Sequence, residues 1–99
     1  MPNKEFILDT LKKLHFKYQK QGIDIIGIFG SIATDESNAK SDIDILYEPS
    51  SDIINLYKKK LSLKNELKNI FHTNIDLVNK KYLKSYAKDE IMGDLIYVK

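Results

Sequence analysis

What this chain lacks narrows the field first. It has no cysteine in 99 residues, so disulfides and thiolate metal sites are excluded and a reducing compartment is permitted. It has no arginine either, and all 16 of its basic residues are lysines. Arginine grips phosphates and base edges with paired hydrogen bonds, so no direct nucleic-acid binding is expected. No apolar run approaches the roughly 20 residues that span a bilayer. The opening Met1-Pro-Asn-Lys-Glu-Phe6 has none of the basic and apolar regions of a secretory leader, so the cytoplasm is the expected compartment.

What is present suits one small soluble domain over residues 1–99, with 42% hydrophobic and 30% charged residues. The net charge of +2 hides an asymmetry. Residues 23–52 carry seven carboxylates against the single Lys40, whereas residues 56–88 carry nine lysines against Glu66 and Asp76. The lysines read first as a solvated helix face, and second as a surface that attracts a polyanion or an acidic partner.

Along the chain, Asn3 can cap a helix whose apolar positions are Ile7, Leu11, Leu14 and Tyr18, with Gly22 ending it. His15 falls on that helix as a surface or boundary residue without ligand spacing. The β-branched run Ile23–Phe29 is apolar on both faces, which predicts a central strand. Gly27 within it leaves space for a helix or ligand to come close. Gly30-Ser31 breaks the strand, and Ser31-Ile-Ala-Thr34 can form one helical turn. Asp42–Tyr47 predicts a second strand, and Pro49–Asp52 a turn that supplies an N-cap. Apolar residues at 53, 56, 57, 61, 67, 70 and 71 then describe a long amphipathic helix. Asn74–Asn79 is a third strand with Ile75 and Leu77 on one face, Asp76 and Val78 on the other. A helix over about 82–92, stopped by Gly93, and a strand over 95–98 close the order α-β-β-α-β-α-β. That order predicts an α+β fold, a mixed sheet of about four strands with helices mainly on one face.

The chemistry concentrates in Gly30-Ser31 and, after ten intervening residues, Asp42-Ile43-Asp44. Period-2 alternation puts Asp42 and Asp44 on one strand face. Like charges held together are unfavourable unless a cation lies between them, and hard divalent ions with oxygen ligands are the natural candidate. Gly30-Ser31 permits a tight turn whose N–H groups and hydroxyl make a small anion cradle, although such a dipeptide alone is an ordinary turn. Asp76, centred in an apolar strand, is disfavoured by propensity and desolvation. If its strand neighbours the second, three carboxylates converge; otherwise the first two line a wet strand face and Asp76 caps a turn.

Together these residues resemble the signature of the DNA polymerase β-like nucleotidyltransferases, and within them the minimal nucleotidyltransferases, antitoxins paired with HEPN-domain RNase toxins. The resemblance covers nearly the whole chain. It implies that Gly30 and Ser31 hold a nucleotide triphosphate, and that Asp42, Asp44 and Asp76 bind two Mg²⁺ ions and take part in catalysis. It also implies transfer of AMP from ATP to a tyrosine of the HEPN toxin. With no second domain visible in 99 residues to bind an acceptor, a partner protein is the expected acceptor. Alternatives are a non-catalytic antitoxin that occludes its toxin and a transferase acting on a small molecule. The sequence departs from the family in one place: the common Gly-Ser-x-Ala-Arg reads Gly30-Ser31-Ile32-Ala33-Thr34 here. Lys40 is the candidate to supply the missing charge.

Overall fold

The computed structural model describes residues 2–36, 38 and 41–98. The elements follow in the order α1 (Lys4–Gln19), β1 (Ile23–Phe29), α2 (Gly30–Ala33), β2 (Ile43–Pro49), α3 (Leu56–Phe71), β3 (Ile75–Asn79), a 3₁₀ turn (Lys80–Tyr82), α4 (Ser85–Asp94) and β4 (Ile96–Tyr97). The strands form one mixed sheet ordered β3-β2-β1-β4. β1 runs antiparallel to both β2 and β4, while β2 and β3 are parallel, as a crossover through α3 requires. The expected α+β architecture with a central β1 is what the chain adopts.

The two long helices lie on one face. Ile7, Leu11 and Tyr18 of α1 and Leu63, Leu67 and Phe71 of α3 join Ile23, Ile25, Ile28, Ile43 and Ile45 in the main core. Each fully buried aliphatic side chain there contributes about 1.5–3 kcal/mol of transfer free energy. α1 begins as expected, with the Phe6 N–H donating to Asn3 Oδ1 at 2.8 Å. The opposite face is thinner. Ile26, Phe29 and Leu46 pack there beneath Val78, Leu83, Ile91, Met92 and Leu95, so α4 is its cover.

A bulge in β1 decides which residues face which layer. Pairing slips between Ile25 and Gly27, so Ile25 and Ile28 both enter the main core while Ile26 turns to the other side. Gly27 makes room for a backbone rather than for a helix or ligand: an added Cβ would stand 2.2 Å from the Ile96 carbonyl oxygen of β4. β2 starts at Ile43, so Asp42 precedes it. Pro49, expected in a turn, is the last residue of β2, paired with the first residue of β1.

The second helix departs further from its pattern. α3 begins at Leu56 behind Asn55, which sits in the left-handed region at φ 59 and makes no side-chain cap bond, so Asp52 is not its cap. Leu63 is buried, whereas Tyr57 and Leu61 are exposed. Leu61 matched the apolar spacing, yet the helix turns Leu63, Leu67 and Phe71 inward instead. Gly93 lies inside α4 rather than ending it. Among the described residues, no helix is long and apolar enough to cross a membrane.

Candidate active site

The parallel register brings the aspartates together. Asp44 of β2 is paired directly with Asp76 of β3, between the Ile43–Ile75 and Ile45–Leu77 pairs that turn inward. Strand alternation therefore lifts both carboxylates onto the α4 side of the sheet. The start of β2 is tied to the loop before β3 by a 3.0 Å bond from the Ile43 N–H to the Asn74 carbonyl. Asp42 and Asp76 are exposed, and Asp44 is half-buried.

Gly30 closes the site from the β1 side. Phe29 pairs with Asp44, and the chain then turns at Gly30 with φ +74. A Cβ there would lie 2.2 Å from Asp44 Oδ2, so only glycine lets this turn rest against the carboxylate. Ser31 follows in the first turn of α2, half-buried.

The Asp44 carboxyl is pushed up to about 6, first by burial, then by the neighbouring charges of Asp76 and Asp42 and by the hydrogen bond that protonated Asp44 donates to Asp76. Among the described residues, no lysine or histidine forms an ion pair with it. An all-oxygen donor set that carries uncompensated negative charge fits a hard divalent cation. Among the described residues, no three ligating side chains already enclose a common ion position.

Thr34 does not replace the missing arginine. Its hydroxyl turns back along α2 and donates to the Gly30 carbonyl at 3.1 Å, with the Ser31 carbonyl at 3.4 Å. Lys40 lies outside the described residues. The boundary residue His15 has a role the sequence reading did not find: its Nε2 lies 3.0 Å from Asp24 Oδ1. The two are nine residues apart across the α1–β1 turn, a separation that carries no periodic signal.

Comparison with known proteins gives the family. The model of the family described as polymerase beta, nucleotidyltransferase matches residues 11–99. The chain belongs to this nucleotidyltransferase family. A Methanocaldococcus jannaschii protein whose name carries a provisional protein adenylyltransferase assignment is 37% identical over 99 residues, covering 96% of this chain and 93% of the relative. A protein adenylyltransferase of Thermococcus cleftensis is 32% identical over 93 residues, covering 92% of each. Among solved structures, this nucleotidyltransferase superposes at TM-score 0.67 on a chain from a tri-AMPylated Shewanella oneidensis HEPN toxin in complex with an MNT antitoxin. That match is 17% identical and covers 96% of this chain and 71% of the other, so it shows the shared fold.

Proposed function

We propose that this nucleotidyltransferase is an antitoxin that transfers AMP from ATP to a tyrosine hydroxyl of a cognate HEPN-domain RNase toxin. The observation that carries the reading is the Asp44–Asp76 pair across β2 and β3, with Asp42 beside it and the Gly30 turn against it. The protein adenylyltransferases among its relatives support the choice of nucleotide and of a protein acceptor.

Asp42, Asp44 and Asp76 would hold two Mg²⁺ ions, which when bound neutralise charge developing on the transferring phosphorus and on the leaving pyrophosphate. The bare Gly30 turn lets the triphosphate come close, and Ser31 offers a hydroxyl and backbone N–H groups to it. Asp76, the more exposed member of the cross-strand pair, is open to the incoming tyrosine and accepts its proton. The phenolate oxygen bonds to the α-phosphorus as the bond to the β-phosphate oxygen breaks, and pyrophosphate leaves. AMP on a tyrosine near the RNase site adds bulk and negative charge where RNA must bind.

Incubation of the chain with ATP, Mg²⁺ and its toxin should add one or more AMP masses to the toxin. An unchanged mass, or an equal shift with the Asp42→Ala/Asp44→Ala variant, contradicts the reading. A second reading, silencing by occlusion alone, draws on Thr34, whose hydroxyl bonds to backbone where relatives of the motif carry a cation. It predicts that the same double variant still neutralises the toxin.

A further inference from the structure

A basic surface bearing exposed tyrosines wraps the β3 edge of the sheet. On α3, Tyr57 is 76% exposed and shares a shallow groove of about 190 Å³ with Lys60, Leu61 and Lys64. Beyond β3, the stretch Lys80-Lys81-Tyr82-Leu83-Lys84 carries Tyr82 at 81% exposure. Tyr47 joins the two halves. Its ring centre lies 5.7 Å from Lys60 Nζ, and its register partner on β3 is Asn79, the residue before Lys80. Among the described residues, none of Lys60, Lys64, Lys80 and Lys84 pairs with a carboxylate. The surface begins three residues along the strands from Asp44 and Asp76, about 10 Å away at strand spacing.

We propose that this edge binds single-stranded nucleic acid without sequence preference, Tyr57 and Tyr82 stacking on bases while the lysines meet phosphates. A single strand alternates flat π-faces with negative charges, and this surface alternates exposed rings with unpaired ammonium groups. A protein partner would call for anchors gathered in an apolar centre with a polar rim. Here the tyrosines stand on separate elements, each among lysines. Arginine's absence removes paired readout of base edges, which is why sequence preference is not expected; lysine still supplies the phosphate attraction and the counterion release. The carboxylates of the transfer site repel the strand, so it stays on the lysine side.

The test is fluorescence anisotropy of labelled oligouridylate and oligothymidylate with the full chain, without ATP and with a glutamate-rich peptide as competitor. Both strands should bind, with affinity falling steeply as salt rises. Tyr82→Ala and Tyr57→Ala should each weaken binding by about 10-fold. Lys80→Gln/Lys84→Gln should reduce the log–log salt slope by about 1.4. Tighter binding of one strand identifies RNA or DNA as the ligand and supports the proposal. No binding at low salt overturns it, as does wild-type affinity in both tyrosine variants. Displacement by the acidic peptide at equal or lower concentration also overturns it, because the surface would then be a docking face for an acidic protein. Both tyrosines are mostly exposed, so their replacement leaves the core intact.

Discussion

Two like-charged pairs cross this sheet, and the protein treats them differently. Asp24 of β1 stands opposite Glu48 of β2, and Asp44 of β2 stands opposite Asp76 of β3. The first pair has a protein partner: the imidazole of His15 lies 3.0 Å from Asp24. The second has none among the described residues, and burial with two neighbouring carboxylates pushes Asp44 up to about 6. A like-charge pair matched by a side chain is part of the scaffold. One left unmatched and half-buried costs stability, and a cation from outside the chain would relieve it.

Breaking the unmatched pair should have the largest effect. On the proposed reading, Asp44→Ala or Asp76→Ala removes a carboxylate that would hold Mg²⁺, an ion worth several kcal/mol of charge stabilisation, so AMP transfer should fall by about 10³-fold or more, read by release of pyrophosphate. Gly30→Ala follows, because a Cβ at φ +74 collides with Asp44 Oδ2. The left-handed conformation alone costs about 1–2 kcal/mol for a residue with a Cβ, so melting should occur at lower temperature and activity should be lost with it.

Asp44→Asn sharpens the contrast by separating stability from function. The folded carboxyl is pushed up to about 6 from its ordinary 3.8, so the wild type binds a proton more readily folded than unfolded. That linkage favours folding fully below about 3.8 and is lost as pH rises through about 6. At pH 8 without divalent cations, the asparagine variant should therefore be more stable, by about 1 kcal/mol after discounting for solvent screening. The advantage should fade as pH falls from 6 towards 4, as thermal melts across that range would show. His15→Ala should do the reverse, losing about 0.5–1 kcal/mol of stability with transfer activity intact, since it uncovers the matched pair. Thr34→Arg should lower the KM for ATP by about 10-fold, the value of a charge-assisted phosphate contact.

The sequence disclosed the unmatched pair more readily than the matched one. Asp44 was legible because strand alternation is strict, and Asp76 because an acid centred between Ile75 and Leu77 opposes its own propensity; Asp42 was expected on the same strand face but lies just before β2. That Asp76 faces Asp44 needed the parallel register through α3, a long-range fact no local pattern contains. His15 and Asp24 belong to different elements with different periods, so nothing in the spacing joins them. The β1 bulge is equally silent in sequence, since Ile25, Ile26 and Ile28 suit either face. α3 was legible as a helix but not in its rotation: Tyr57 and Leu61 satisfy an apolar stripe that packing assigns to Leu63 and Leu67. The short α4 and the two-residue β4 are set by what they cover, Ile26, Leu46 and the Gly27 backbone, more than by their own residues.

Calorimetric titration of MgATP into the wild type, Asp44→Asn and His15→Ala tests the central claim most directly. The account predicts binding to the wild type and to His15→Ala alike, and a loss of at least tenfold in affinity for Asp44→Asn, because removing a charge that would hold Mg²⁺ costs about 1.4 kcal/mol or more, the value of a factor of ten. Equal affinity in all three proteins would contradict it.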